Sequence, residues 1–116
     1  MRIEIIPCLQ DNYSYLIVDE INNNACVIDP SEAEPIIKFI EKNNINLKYI
    51  LNTHHHFDHI GGNIDLKKKY NSIVVGYKDD ANRIPEIDIL VEDNQLWRAE
   101  NFEAKIMHIP GHTTGH

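Results

Sequence analysis

Apolar positions along this chain recur first at the spacing of strands and then at the spacing of helices. Ile3, Ile5 and Ile6, followed by residues 13–18, are β-branched or aromatic stretches separated by the polar Gln10-Asp11-Asn12. They predict two strands joined by a turn, a hairpin that opens the protein. Asn22-Asn23-Asn24 marks a second turn, and residues 25–28 form a short apolar run halted by Asp29-Pro30, as expected of a buried strand ending at a loop. Ser31 with Glu34 three residues on predicts a helix start by the capping-box pattern, or else Pro35 occupies the first helical turn itself. Ile36, Ile37 and Ile40 then fall on one helical stripe able to pack on a sheet, while Lys38, Glu41 and Lys42 face water.

Residues 47–51 read as the next strand, so strand, helix and strand make a βαβ unit with parallel pairing, and the loop that follows lies at the C-terminal end of the sheet. Gly61-Gly62 leads into a helix over residues 63–70, and residues 73–75 form another strand. Residues 87–91, 95–98 and 102–107 are weaker strand candidates, with turns at Glu92-Asp93-Asn94 and Glu100-Asn101. The fold class is therefore α/β, a mixed sheet with flanking helices. No repeat, low-complexity tract or linker divides residues 1–116, which predicts a single domain.

Composition narrows the choice of partners. A net charge of -7 disfavours nucleic acid, which is bound through basic surfaces, and the run Lys67-Lys68-Lys69 reads as the solvated face of a helix. No apolar run reaches the ~20 residues of a membrane span and no basic leader precedes a long apolar stretch, so a cytoplasmic location without membrane attachment is expected. Cys8 and Cys26 lie outside any Cys-x-x-Cys spacing and read as buried small hydrophobes in a reducing compartment.

The chemistry lies in the histidines. All seven fall in two clusters: His54, His55, His56 and His59 after one strand, and His108, His112 and His116 near the end. Imidazoles clustered beside an aspartate are a metal-binding signature. His54 and His56 are two apart, so on an extended segment they leave from one side and grip one ion, while His55 points away. Asp58 and His59 follow once the chain has begun to turn and converge on a second position. His112, in the turn-rich Pro110-Gly111-His112-Thr113-Thr114-Gly115-His116, supplies a third ligand to the first ion, and three neutral nitrogens with an open position describe a catalytic site more than a structural one. His55, His108 and His116 are candidates to orient neighbouring ligands or else are packed polar residues; Asp29 either holds a ligand histidine in its tautomer or is a turn residue before Pro30. Gly61 and Gly62 suit a sharp return of the backbone from this loop, or a plain helix cap.

The run Thr53-His54-His55-His56-Phe57-Asp58-His59-Ile60-Gly61-Gly62-Asn63 resembles the hydroxyacylglutathione hydrolase (glyoxalase II) version of the metallo-β-lactamase motif, with its extra histidine between the first two ligands. Pro7, Asp11-Asn12-Tyr13, Val27-Ile28-Asp29-Pro30, Ile50-Leu51-Asn52 and the Pro110 to His116 loop are similar to that family too. The resemblance implies His54, His56 and His112 on a first metal, Asp58 and His59 on a second, and Asp58 as the catalytic residue. Zinc is the implied ion, with iron or manganese as variants. The implied reaction is hydrolysis of S-D-lactoylglutathione, a small-molecule thioester, to D-lactate and glutathione, with a thiol of pKa about 8.5 as an easy leaving group. The implied fold is an αββα sandwich of which residues 1–116 supply about the first half, leaving a sheet face exposed; the family's later ligands and its helical substrate domain have no counterpart in the sequence. The expectation is a truncated, weak or inactive form. Two other readings stand beside it: a non-catalytic metal-binding remnant or interaction module, and another enzyme of this fold such as an iron persulfide dioxygenase.

Overall fold

The computed structural model describes residues 1–8, 12–53, 61–84 and 86–107, leaving aside the side chain of Asn12. The opening hairpin is present: β1 (Arg2–Cys8) pairs antiparallel with β2 (Asn12–Asp19), placing Ile3 opposite Ile17 and Ile5 opposite Tyr15. β2 continues antiparallel to β3 (Asn24–Ile28), after which β4 (Asn46–Leu51), β5 (Ile73–Tyr77) and β6 (Ile89–Val91) add in parallel. The resulting six-stranded sheet has its strands in chain order. Helix α1 (Ala33–Asn43) connects β3 to β4, and α2 (Asn63–Tyr70) follows β4 and leads to β5, as two parallel crossovers require. Both helices end on an asparagine in the left-handed region, Asn44 and Asn71, whose N–H groups donate to Ile40 and Lys67 carbonyls.

The helices cover one face of the sheet. Ile36 and Ile40 from α1 and Leu66 from α2 meet Leu16, Val27, Ile50 and Val74, all fully buried; each such side chain stabilises the fold by about 1.5–3 kcal/mol through burial. Leu47 and Ile50 are three apart yet join the same cluster, because pairing steps from Ala25↔Leu47 to Cys26↔Tyr49 and leaves Lys48 unmatched. This bulge resets the alternation, so Tyr49 turns to the opposite face. There it meets a two-stranded ribbon, β7 (Leu96–Ala99) and β8 (Phe102–Lys105), which among the described residues forms no ladder with the main sheet. Trp97 and Phe102 stand edge-on to Tyr49, with ring centroids 5.3 and 6.0 Å away. The ribbon leaves the β1–β2 end of this face open: Ile3 (65%), Ile5 (60%), Tyr13 and Tyr15 are exposed there. The architecture is thus half of an α/β sandwich.

Several details differ from the sequence reading, among them β7, expected over residues 95–98 and found at Leu96–Ala99. α1 begins at Ala33 with Glu32 at its N-cap and no side-chain cap, so Ser31 stands one residue too early for a capping box and Pro35 lies in the first turn. β6 starts at Ile89 rather than Ile87, because Asp88 is engaged with Val74: its N–H donates to the Val74 carbonyl (2.8 Å) and its carboxylate accepts the Val74 N–H (2.9 Å). β8 ends at Lys105, although Ile106 still exchanges backbone hydrogen bonds with Asn94 and Gln95. The lysine run is not uniformly solvated, since Lys67 folds back to donate to Asp88 (2.5 Å) and to the Glu86 carbonyl (3.0 Å). Cys8 and Cys26 are free and buried as expected, and burial pushes the Cys26 thiol far up. No helix among the described residues is long and apolar enough to cross a membrane.

Candidate metal centre

His54, His55, His56, Asp58, His59, His108, His112 and His116 lie outside the described residues. The structure does describe what holds the ends of the two segments that carry them. Thr53, where the first segment leaves β4, is gripped by Asp29: its backbone N–H donates to one carboxylate oxygen (2.8 Å) and its hydroxyl to the other (2.5 Å). Asp29 reaches that position through a left-handed backbone (φ 52°), a conformation aspartate tolerates better than most residues. Its N–H donates to the Leu51 carbonyl (2.9 Å), and its carbonyl accepts the buried Ser14 hydroxyl (2.8 Å). The carboxylate thus serves the main chain leading into the histidine loop.

The far end of the loop is held as firmly. Gly62 donates its N–H to the Pro30 carbonyl (2.7 Å), and a Cβ built there would lie 2.9 Å from Ala33 N and Glu32 C. Its φ of -93° suits any residue, so close backbone approach rather than dihedral freedom calls for glycine. Across the loop, the buried amides of Asn52 and Asn63 exchange hydrogen bonds of 2.6 and 3.3 Å. Asn52 precedes the loop and Asn63 opens α2, so this pair closes the loop at its base. The sequence placed both asparagines in family-like stretches but assigned neither a role. Their positions flanking the histidine run were the available signal, but nothing in the spacing reveals that the two amides meet.

The second segment starts close by. A cavity of about 280 Å³ lies at the C-terminal ends of β3, β4 and β5, beneath the ribbon, and both Thr53 and Met107 line it together with Leu51, Asn52, Trp97 and Ile106. Residue 107 precedes the second histidine cluster as residue 53 precedes the first. Although 54 positions separate these two residues, they share one rim at the sheet edge where open α/β folds bind ligands. Among the described residues no three His, Cys, Asp or Glu side chains gather as a metal site, so the donors of the two segments are the candidates. Their chemistry, several imidazoles with one carboxylate, suits a borderline divalent ion.

A six-stranded mixed sheet backed by helices on one face fits a known class, and the sequence settles it: the chain is a member of the metallo-beta-lactamase superfamily, whose family model matches residues 10–116. At 70% identity over 100% of this chain it is similar to the hydroxyacylglutathione hydrolase of Pelagibacter ubique, of which it covers 48%. It is 40% identical, over 96% of its length, to the enzyme of the same name from Methylococcus capsulatus, covering 43% of that protein. The chain therefore spans about half the length of the curated relatives it matches. Among solved structures, the BLEG-1 B3 metallo-beta-lactamase superposes with a TM-score of 0.89 at 21% identity, over 98% of this chain and 64% of that one, a likeness of fold. Membership of this superfamily implies metal ions.

Proposed function

We propose that this chain carries the metal-binding part of a thioester hydrolase acting on a glutathione conjugate such as S-D-lactoylglutathione. His54, His56 and His112 would hold the first zinc, Asp58 and His59 would contribute to a second, and Asp58 would serve catalysis. Residues 1–116 would form one portion of a single domain. The observation that supports this reading is that Thr53 and Met107, the last described residues before the two histidine segments, line one cavity. The hydrolase relative with 70% identity supports the substrate class. Zinc bound there supplies Lewis acidity toward a carbonyl oxygen and lowers the pKa of water to about 7. The chain's own residues hold the frame: Asp29 fixes Thr53, and the Asn52–Asn63 pair with Gly62 fixes the return of the loop. Two free cysteines fit a reducing cytoplasm.

A second reading, a metal-binding module that hydrolyses nothing without further polypeptide, is favoured by the exposed Ile3, Ile5, Tyr13 and Tyr15 on the open sheet face. Zinc content and S-D-lactoylglutathione turnover of the purified chain, with and without His112→Ala, test both. The expected result is tightly held zinc that the substitution releases. Unchanged metal stoichiometry in the variant overturns the ligand assignment. Metal binding without turnover above that of free zinc selects the module.

A further inference from the structure

We infer that the chain pairs with a second copy of itself along the outer edge of β1, in one register. β1 is an end strand of the main sheet, and among the described residues nothing pairs with its outer side. The other end strand, β6, is only 3 residues long, which protects an edge by leaving little to pair with; β1 runs for 7, in unbroken register with β2 and without a lysine. Proline sits in an end strand where its missing N–H faces away from the neighbour, so Pro7 marks which residues of β1 turn their backbone outward. By alternation Ile5 and Ile3 do the same. Their side chains, exposed as described above, stand on the open face. Arg2 and Glu4 lie on the opposite face, that of the buried Ile6 and Cys8, and form an ion pair of 2.9 Å.

Antiparallel pairing about a symmetry axis must match outward-turned residues with each other, which leaves few possible centres. Centring on Arg2 sets two guanidinium groups opposite one another, and centring on Glu4 does the same with two carboxylates. Centring on Ile5 places Pro7, which has no N–H to give, opposite Ile3. Centring on Ile3 carries none of these costs. Each Arg2 then faces Glu4 of the second copy, Ile3 faces Ile3 and exchanges both backbone hydrogen bonds with it, Ile5 faces Met1, and Pro7 lies beyond the paired stretch. Opposite charges support a strand pair and like charges weaken it, so the placement of Arg2 and Glu4 on either side of Ile3 selects this register. On the open face, Met1, Ile3 and Ile5 of the two copies close up side by side and shield apolar surface that water now reaches. The contact is short, below the area of permanent dimers, so association depends on concentration.

The test is sedimentation velocity of the 116-residue chain across a dilution series, with thermal melts to check folding. The parent is expected to pass reversibly from one copy to two as concentration rises. Arg2→Glu and Glu4→Arg each turn both cross-copy ion pairs into like-charge pairs, and each is expected to weaken association on the order of tenfold. An equal mixture of the two variants restores it, because one then offers only carboxylates and the other only guanidinium groups. Tyr13→Ser, on the open face but beside Pro7 and outside the paired stretch, leaves association unchanged. A parent that stays single at every concentration overturns the inference. So does a mixture that associates no better than its components. Association that survives both charge variants but falls with Tyr13→Ser also overturns it, and assigns the contact to stacking of the open faces. Should either charge variant not fold, Ile3→Pro gives the same reading: it removes an outward N–H at the centre and no bond to β2, so lost association supports the pairing and retained association overturns it.

Discussion

Replacing Gly62 by alanine is the sharpest probe of how the histidine loop is closed. The added methyl would lie 2.9 Å from Ala33 N, 2.9 Å from Glu32 C and 3.0 Å from Pro30 O, all backbone atoms that no rotamer change can move aside. Carbon atoms in contact prefer about 3.5–4.0 Å, so the start of α1 and the Gly62 turn must separate by more than half an ångström. That shift stretches the hydrogen bond from Gly62 N–H to the Pro30 carbonyl, now 2.7 Å. Overpacking of this kind costs about 1–3 kcal/mol, and losing one net hydrogen bond adds about 1. The unfolded state of the alanine chain, being less flexible, returns about 0.4–1 kcal/mol. A net destabilisation of about 2 kcal/mol follows, which in a domain of this size lowers Tm by roughly 6–10 °C. Urea unfolding of the metal-free chain measures the first effect, and zinc titration the accompanying loss of affinity as the loop base opens. A variant within about 0.5 kcal/mol of the parent would refute the close-approach argument.

Asn63→Ala removes both hydrogen bonds exchanged with Asn52 and is expected to cost about 2 kcal/mol by denaturation, together with weaker zinc retention; a loss of stability without loss of metal would confine the pair to a packing role. Burial opposes ionisation of Asp88, but the Lys67 ammonium and the Val74 N–H outweigh it and hold the carboxyl below its usual range. A depressed folded pKa gives stability that is present above the unfolded value of about 3.9 and lost as pH falls through the folded one. Asp88→Asn should therefore be less stable at pH 7 and show a shallower decline between pH 5 and 2 in thermal melts, whereas parallel pH profiles would count against the pairing. Ile3→Lys/Ile5→Lys should reduce dye binding and concentration-dependent association, read by light scattering, with stability within about 0.5 kcal/mol because both side chains are already exposed; unchanged association would show that this face is not the sticky one.

The strand and helix order was legible because the signals were local. Ile36 and Ile40 announced the buried stripe of α1, and Asp29-Pro30 the end of β3. What escaped the sequence reading depends on contacts between distant residues. The bulge at Lys48 follows from how β4 pairs with β3, and no local pattern forecasts that Leu47 and Ile50 share a face. Asp88 suppresses the start of β6 by engaging Val74 on a neighbouring strand. Ser31-x-x-Glu34 looked like a cap, yet the chain enters α1 from Glu32 in extended backbone, with Pro35 in the first turn. At the candidate site the two histidine segments were legible as sequence, whereas the contacts that join Asp29, Asn52, Asn63 and Gly62 into a frame were not. Asp29 in particular had two sequence readings, and the structure adds a concrete task, fixing Thr53 through both carboxylate oxygens.

Because every strand of the main sheet lies beside its predecessor in the chain, the sheet can grow in the direction of synthesis, each new strand docking on one already in place. The ribbon follows the sheet in the chain, ahead of the segment that carries His112. Cation capture would then follow assembly of this sheet, and a ribosome stalled before residue 96 should carry a chain with protected β1 to β4 amides and little retained zinc. Strong zinc retention at that stage would place loading earlier.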